Sequence, residues 1–210
     1  MNHDFWRSRW AAGQIGFHQG RPNPFLERHH ALLGAAKRVF VPLCGKTVDL
    51  VFLAAQGHQV VGVELVEDAV KAFFTEQQLT PTVTPQGPLT QYQAGAITLL
   101  AGDYFHATRA ALGAVTAVYD RAAIIALPPE VRTRYVSHLR KVVPEGSEGL
   151  VVTLEYPQAE AEGPPFSVPE AELRTHYAGA RVELLEQGPA DGRFAVFAER
   201  ARECCWHVRF

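Results

Sequence analysis

The sequence predicts an α/β fold in which a mainly parallel sheet carries a ligand site at the carboxyl ends of its strands. Two observations lead to this prediction. Residues 38–65 contain a short apolar run, a tight turn, a helical pattern and a second apolar run, which together form one βαβ unit. Three more apolar runs follow, at residues 96–100, 113–119 and 149–155, and they fit further parallel strands.

The βαβ unit is the most informative stretch of the chain. Its first strand, residues 39–43, ends at the turn Cys44-Gly45-Lys46, and residues 47–55 have the spacing of a helix. A second strand over residues 60–65 closes on an acid, Glu64. The turn and the end of the second strand should lie together, and the helix after the turn offers free N–H groups to a ligand.

The separation of Gly45 and Glu64 is that of a nucleotide-binding fingerprint, in which the later carboxylate accepts hydrogen bonds from ribose hydroxyls. The turn has one glycine where the GxGxxG pattern has three, which disfavours NAD and FAD. A Walker A loop would need a glycine where Phe40 stands. An adenosine-containing ligand without a pyrophosphate fits better, and S-adenosylmethionine is the common one. The alternative for Glu64 is a solvated acid at a strand end.

Bulk composition excludes several classes of function. The 210 residues are 47% hydrophobic and 20% charged with a formal net charge of -2, which argues against nucleic-acid or membrane partners. The N-terminus has no apolar signal core and no segment approaches membrane-spanning length. We expect reduced thiols in a cytoplasmic protein, and we expect a monomer. The three cysteines suggest neither a disulfide framework nor a metal site.

The N-terminal segment stands outside the βα series. Residues 4–12 form a helical pattern with Phe5, Trp6 and Trp10, and Asn23-Pro24 is a typical helix start. We expect this segment either to cover an edge of the sheet or to close as a lid over a small ligand.

The remaining elements complete one domain over residues 1–210. Residues 67–78 and a segment from Pro128 form helical patterns, residues 79–95 are expected to be irregular, and Ser167 and Glu170 have capping-box spacing. Residues 181–185 and 194–199 predict an antiparallel hairpin joined by the loop 187–192. The domain thus divides into N-terminal lid helices (1–37), a cofactor-binding core (38–155), a helix and hairpin (156–200) and a tail (201–210).

Four motifs together resemble the thiopurine S-methyltransferase family, in particular its bacterial members. They are Trp6-xxx-Trp10-xx-Gly13-xx-Gly16-Phe17-His18, Val41-Pro42-Leu43-Cys44-Gly45-Lys46-xx-Asp49-Leu50, Gly57-His58-x-Val60-Val61-Gly62-Val63-Glu64 and Tyr119-Asp120-Arg121-Ala122. The resemblance covers residues 5–155. Beyond it, a stretch that carries tryptophan and arginine in the family is shortened to the loop 187–192.

The resemblance implies a class I, Rossmann-like methyltransferase with a seven-stranded sheet that uses S-adenosylmethionine. At matching positions, Trp10, Leu43, Glu64 and Arg121 would line the cofactor site, with Asp103 and Tyr104 at its adenine end. Phe17 and Arg121 would border the acceptor. The alternatives are a loop acid for Asp103, a core tyrosine for Tyr104 and sheet packing for Trp10.

The implied reaction is an in-line transfer of a methyl group from a sulfonium to a small thiol or thiolate. Alignment of the reacting atoms can supply most of its acceleration, and a fixed cation helps an anionic nucleophile. Arg121 is the candidate for that catalytic role, and a salt bridge to Asp120 is its structural alternative. Methylation of selenium or tellurium compounds, and a binding protein without turnover, stay open. An NAD-dependent oxidoreductase is disfavoured by the missing glycines.

Overall fold

The computed structural model describes residues 3–14, 18–35 and 37–210. In these residues the chain forms seven α-helices, five short 3₁₀ helices and nine strands. The α-helices are α1 (His3–Ala11), α2 (Pro24–His29), α3 (Asp49–Ala55), α4 (Glu67–Glu76), α5 (Arg109–Leu112), α6 (Pro129–Val142) and α7 (Glu170–His176). The 3₁₀ helices are His30–Leu33, Tyr104–His106, Ile124–Ala126, Gln158–Glu160 and Gly192–Arg200.

All nine strands belong to a single sheet. They are β1 (Arg38–Pro42), β2 (Gln59–Glu64), β3 (Thr82–Gln86), β4 (Leu89–Ala94), β5 (Ile97–Ala101), β6 (Ala117–Arg121), β7 (Glu148–Glu155), β8 (Arg181–Pro189) and β9 (Arg202–Arg209). Their order across the sheet is β3-β4-β5-β2-β1-β6-β7-β9-β8. The five central strands are parallel, and antiparallel pairs flank them on both sides.

The strand order reverses at β1, because the chain fills one side of it with β2 and β5 before crossing to β6 and β7 on the other. In open parallel sheets, ligands bind at the carboxyl ends of the strands beside such a reversal. The predicted α/β class is therefore confirmed, and the fold points to the end of β1 as the place to look for a site.

Helices cover both faces of the sheet, and side-chain alternation along β1 assigns residues to the two cores. Val39 and Val41 pack on the face that also buries side chains of α2, α3 and α4. Phe40 points to the opposite core, which α5, α6 and α7 cover. Burial on both faces explains why the central strands are continuous apolar runs in the sequence.

Two strands occur where the sequence predicted an irregular excursion. Residues 82–94 form the hairpin of β3 and β4, so the sheet has nine strands where seven were predicted. Proline, glycine and threonine concealed this hairpin in the sequence. Pro85 is tolerated because β3 is the outermost strand of the sheet, where a missing N–H costs little.

The predicted C-terminal hairpin exists, but its second strand was placed wrongly. Residues 194–199 belong to a 3₁₀ segment, and the strand that pairs with β8 is β9, within the residues predicted to be a tail. Phe194 and Phe197 are buried whereas Val196 is 78% exposed. Burial therefore recurs every three residues, as in a 3₁₀ helix, and not every two residues as in a strand. The interior position of β9 between β7 and β8 makes the C-terminus part of the sheet.

Helix starts agree with the sequence in one case and differ in another. Asn23 caps α2 as predicted, since its side chain accepts a hydrogen bond from the N–H of Phe25. The capping box at Ser167 is wrong, because its hydroxyl accepts from the N–H of Tyr156 at 3.0 Å and α7 has no side-chain cap. None of the helices in the described ranges is long and apolar enough to span a membrane.

Candidate active site

The turn after β1 forms one wall of a cavity of about 420 Å³ at the carboxyl ends of the parallel strands. Leu43 and Gly45 in this turn have φ values of 46° and 53°. Such a conformation is ordinary for glycine and strained for leucine, so neighbouring structure must hold it. The N–H of Cys44 donates to the carbonyl oxygen of Val63 in β2 at 3.0 Å, which fastens the turn to that strand.

Glu64, the last residue of β2, lines the same cavity. Its Oε2 accepts a hydrogen bond from the N–H of Gly45 at 2.9 Å, and its Oε1 accepts one from the N–H of Val66 at 2.8 Å. Burial raises the pKa of the Glu64 carboxyl, and the backbone N–H donors around it partly offset that rise. Each oxygen retains lone-pair capacity, so the fixed carboxylate can accept hydrogen bonds from two neighbouring hydroxyl groups.

Gly62 explains how the turn can approach β2 so closely. A Cβ atom added at this position would lie 2.6 Å from the Sγ of Cys44 and 2.7 Å from the Cδ2 of Leu99. Only glycine leaves room for the buried Cys44 side chain against the strand. Burial raises the pKa of the Cys44 thiol well above its ordinary value, which makes this cysteine a packing residue rather than a nucleophile.

The N-terminal segment covers the cavity, and two of the contacts that tie it to the core lie near the site. Nε2 of His3 in α1 lies 3.2 Å from a carboxylate oxygen of Asp103, which follows β5. The second tie is Asp49 at the start of α3, which is buried. Its Oδ1 accepts from the N–H of Asn23 at 2.7 Å, and its Oδ2 accepts from the hydroxyl of Tyr119 at 3.0 Å.

Most of the predicted site residues meet in this cavity. Five of them line it, namely Trp10 from α1, Leu43 and Glu64, Tyr104 after β5, and Arg121 at the end of β6. Strand ends converge at one edge of a parallel sheet, which is why residues so far apart in sequence come together. Ala122, directly after Arg121, has a φ of 65°, so the chain leaves β6 in a strained turn at the cavity wall.

The structure differs from the predicted adenine end at two residues, since Asp103 lies outside the cavity lining and Tyr104 lines the cavity mainly as a core residue. Asp103 is not among the cavity-lining residues, since its carboxylate accepts from the N–H of Phe105 at 2.9 Å and contacts His3. Tyr104 borders the cavity but is only 2% exposed, and its ring packs 4.9 Å from that of Tyr135. Its hydroxyl donates to the carbonyl oxygen of Tyr135 at 3.2 Å. Phe17 lies outside the described residues.

Another wall of the cavity is apolar and comes from the C-terminal part of the chain. Pro164, Pro165 and Phe194 line it. The hydroxyl of Tyr156 donates to the carbonyl oxygen of Pro165 at 2.8 Å, and the Tyr156 ring lies 4.6 Å from that of Phe194. Nη2 of Arg193 donates to the carbonyl oxygen of Pro164 at 3.0 Å, so the proline loop and the 3₁₀ segment are joined.

Several charged cavity residues were not singled out as site residues by the sequence analysis. Lys46 stood within a quoted motif, and its Nζ lies 2.5 Å from the carboxylate of Glu76 in α4. His18 also stood within a quoted motif, and burial and Lys46 lower its pKa. Arg193 and Glu203 come from the mispredicted hairpin and tail. The apolar run Cys204-Cys205-Trp206 beside Glu203 was the available signal for a buried strand there.

Metal ligands do not cluster at the cavity among the residues that the structure describes. Within residues 3–14, 18–35 and 37–210, no three His, Cys, Asp or Glu side chains cluster in a way that could hold a metal ion. The lining residues are those of an organic-ligand site, with a fixed carboxylate and an apolar wall.

Two solved structures with a similar architecture are methyltransferases. A 1,6-didemethyltoxoflavin-N1-methyltransferase from Burkholderia thailandensis, crystallised with 1,6-didemethyltoxoflavin and S-adenosylhomocysteine, matches with a TM-score of 0.68 and 14% identity over 99% of this chain and 86% of its own. Magnesium protoporphyrin IX methyltransferase from Synechocystis PCC 6803 matches with a TM-score of 0.62 and 14% identity, over 100% of both chains. At these identities the likeness establishes the fold, and it agrees with the predicted class I methyltransferase architecture.

Sequence comparisons extend the likeness along nearly the whole chain. The family model of thiopurine S-methyltransferase matches residues 1–204, which takes in the segment after residue 155 where the resemblance was expected to fade. A thiopurine S-methyltransferase from Pseudomonas aeruginosa is 52% identical over 203 residues, covering 95% of this chain and 93% of its own. One from Pseudomonas fluorescens is 51% identical over 190 residues, covering 89% and 87%. With a family model over residues 1–204 and relatives that are half identical, the chain belongs to the thiopurine S-methyltransferase family, as its motifs predicted.

Proposed function

We propose that this protein transfers the methyl group of S-adenosylmethionine to the sulfur of a small thiol such as a thiopurine, within the cavity at the carboxyl ends of β1, β2 and β6. The observation that carries the proposal is the Glu64 carboxylate, whose two oxygens are fixed by backbone N–H groups and face the cavity. Family membership makes the protein an S-adenosylmethionine-dependent methyltransferase. The acceptor and the roles of single residues are the proposed part.

The residues present fit the cofactor. A volume of about 420 Å³ lies within the range of about 300–1,000 Å³ typical of small-molecule sites. Glu64 would hold the ribose hydroxyls, and the ring of Trp10 would face the sulfonium, a cation–π contact of about 0.5–2 kcal/mol. When bound, the cofactor supplies an electrophilic methyl group. Leu43 would contribute its backbone and shape to the wall.

Tyr104 and Asp103 would act from the adenine end, though at different distances from the ligand. Tyr104 reaches the cavity with part of a ring that is otherwise packed in the core. Asp103 lies outside the cavity lining and contacts His3, so it would reach the adenine amino group only if its side chain turned toward the cavity. We therefore assign Asp103 first to the tie between α1 and the core.

Arg121 would orient the acceptor and stabilise negative charge on its sulfur. A guanidinium stays protonated throughout the working pH range, so it favours a thiolate over a thiol at the same position. The apolar wall of Pro164, Pro165 and Phe194 would suit a flat, apolar acceptor and would exclude water from one side of it. Alignment of the acceptor between this wall and the donor would supply most of the acceleration, up to about 7–11 kcal/mol.

The loop 187–192 is shorter than in the family, and this feature favours the alternative of a binding protein without turnover. Asp191 and Gly192 of that loop and Arg193 after it nevertheless line the cavity, and Arg193 donates to the carbonyl oxygens of Glu162 and Pro164. These contacts support an acceptor wall that could sustain turnover.

The test is a methyl-transfer assay with S-adenosylmethionine over a panel of thiopurines, aryl thiols and selenium and tellurium oxyanions. We expect thiopurines and aryl thiols to be methylated, and we expect Arg121→Ala to reduce kcat and to change its pH profile. An unchanged rate and pH profile in Arg121→Ala would remove thiolate stabilisation from the mechanism. Methylation of the selenium and tellurium compounds alone would assign the chain a different acceptor. Its cytoplasmic location and monomeric state stay predictions.

A further inference from the structure

Glu203 brings a carboxylate to the cavity from the C-terminal strand. It lies on β9, where it pairs with Leu154 of β7 and with Gly188 of β8, and its side chain lines the cavity. Gly188 has no side chain, which leaves space beside Glu203 on the β8 side. β9 lies in the interior of the sheet, so this carboxylate is held on a rigid element.

The Glu203 carboxylate is not used by the fold. It makes no hydrogen bond or ion pair with any residue that the structure describes, in contrast to Glu64, which accepts two backbone hydrogen bonds. Burial raises the pKa of the Glu203 carboxyl, Asp191 raises it further, and Arg121 lowers it. A half-buried carboxylate without bonds, in electrostatic reach of the cation assigned to the acceptor sulfur, is placed to accept a proton. The other charged residues that line the cavity are Arg9, His18, Lys46, Glu64 and Arg193.

The chemistry of heteroaromatic thiols requires such an acceptor. A ring that carries sulfur beside a nitrogen exists largely as the thione, with a C=S bond and a proton on the nitrogen. Methylation at sulfur is complete only when that ring N–H proton has been removed. Arg121 and Glu203 together offer a donor for the sulfur and an acceptor for the N–H, which matches the sulfur and the nitrogen bonded to the same carbon of a thione.

We propose that Glu203 is the catalytic base of this enzyme, and that it removes the ring N–H proton of a thione acceptor such as a thiopurine. This assignment rests on the proposed function, because it names the form of the thiopurine-like acceptor that the same cavity binds.

The Glu203 carboxylate takes the ring N–H proton, and the electron pair of the N–H bond becomes the C=N bond of the aromatic product. The C=S π bond breaks at the same time and its electron pair moves to the acceptor sulfur, which forms its new bond to the methyl carbon. The bond between that methyl carbon and the donor sulfonium breaks, and its electron pair stays on the leaving sulfur. Glu203 returns the proton to water after the product leaves.

The test compares two acceptors with the full-length protein and S-adenosylmethionine. 6-Mercaptopurine is a thione with a ring N–H, whereas 2-nitro-5-thiobenzoate is an ionised aryl thiolate at neutral pH and has no ring N–H. We expect Glu203→Gln to lower kcat for 6-mercaptopurine by about 100-fold and to change kcat for the thiobenzoate by less than about threefold. Glu203→Asp should restore part of the lost rate, since it keeps the carboxylate at a greater distance.

Two controls separate base catalysis from damage to the site. Glu183→Gln makes the same chemical change at an exposed position of β8 and should leave both rates unchanged. Calorimetry with S-adenosylhomocysteine should give the same affinity for Glu203→Gln as for the unmodified protein. In the unmodified protein, kcat for 6-mercaptopurine should rise with pH as the Glu203 carboxyl loses its proton, and this rise should be absent in Glu203→Gln. The rate of Glu203→Gln should recover at high pH, where 6-mercaptopurine ionises in solution.

Three results would overturn the assignment. One is an unchanged rate of 6-mercaptopurine methylation in Glu203→Gln. Another is an equal loss for both acceptors, which would mean that Glu203 only positions Arg121 or supports the wall. If the unmodified protein methylates neither acceptor, the proposed function fails first and this assignment falls with it.

Discussion

The N–H of Gly45 donates a hydrogen bond to Oε2 of Glu64 at 2.9 Å, and this contact joins the two ends of the βαβ unit. It fixes the carboxylate by the backbone of the turn rather than by another side chain. The turn and the carboxylate therefore form one unit, so a change at either residue should be felt at the ligand site.

Replacement of Glu64 by alanine should weaken binding of S-adenosylhomocysteine by about 10- to 100-fold, because hydrogen bonds to a charged group contribute about 1.5–3 kcal/mol. Isothermal titration calorimetry measures this affinity. Glu145→Ala, at an exposed position away from the cavity, is the control. An unchanged affinity in Glu64→Ala would exclude Glu64 from the cofactor site.

Gly62→Ala should lower the free energy of unfolding by about 1–3 kcal/mol, since the new methyl group would lie 2.6 Å from the Sγ of Cys44. It should also weaken cofactor binding, because the turn is pushed away from β2. Urea denaturation measures the first effect. Cys44→Ala in the same chain should recover part of the stability, although the contact with Leu99 remains. If the effects of Gly62→Ala and Cys44→Ala on the free energy of unfolding are strictly additive, a clash with Cys44 is not the reason that position 62 requires glycine.

The βαβ core and its site could be predicted from the sequence because their signals are local. The strand predicted over residues 39–43 is β1 at Arg38–Pro42, and the strand predicted over residues 60–65 is β2 at Gln59–Glu64. Each is buried on both faces, so its residues must be continuously apolar. The convergence of Leu43, Glu64 and Arg121 then follows from the geometry of parallel strands.

The other half of the site depends on tertiary pairing that no local pattern encodes. β9 is defined by its two antiparallel neighbours, and Glu203 reaches the cavity only because of that register. Arg193 lies in a 3₁₀ segment whose buried rings recur every three residues, a spacing that is easily mistaken for strand alternation over so short a run. The acceptor wall was therefore the part that the sequence analysis missed.

Asp49→Ala should destabilise the protein by about 2–4 kcal/mol, because it leaves the buried N–H of Asn23 and the hydroxyl of Tyr119 without their acceptor. It should also raise the KM for S-adenosylmethionine, since the segment before Asn23 carries cavity residues such as His18. Urea denaturation and steady-state kinetics measure the two effects. Tyr119→Phe removes only one donor and should cost about 0.5–1.5 kcal/mol. A loss of stability without any change in KM would mean that Asp49 does not position the N-terminal segment.

Because of Asp120, the protein should become less stable as the pH rises from about 4 to about 6. The carboxyl is fully buried and accepts a hydrogen bond from the hydroxyl of Tyr135 at 2.7 Å, and burial raises its pKa from 3.8 to about 6. Between these two values the folded state binds a proton that the unfolded state has lost, so raising the pH removes up to about 3 kcal/mol. Urea denaturation across this range should show the decrease, and Asp120→Asn should abolish that part of the pH dependence. Parallel curves for the two proteins would show that Asp120 does not titrate in this range.

Arg193→Ala should raise the KM for a thiopurine acceptor by about 5- to 10-fold and leave the affinity for S-adenosylhomocysteine unchanged. The reason is positional: Nη2 of Arg193 donates to the carbonyl oxygens of Glu162 at 2.8 Å and Pro164 at 3.0 Å, and the guanidinium lies 4.7 Å from the Phe194 ring. Without the Arg193 guanidinium, the proline loop and the 3₁₀ segment lose their shared hydrogen-bond donor. The apolar wall that they form should then become less rigid. Arg181→Ala removes one exposed cation from β8 and controls for the change in net charge. Steady-state kinetics with the acceptor varied, together with calorimetry of S-adenosylhomocysteine, separates the two ligands. An equal loss for both would place Arg193 at the cofactor rather than at the acceptor wall.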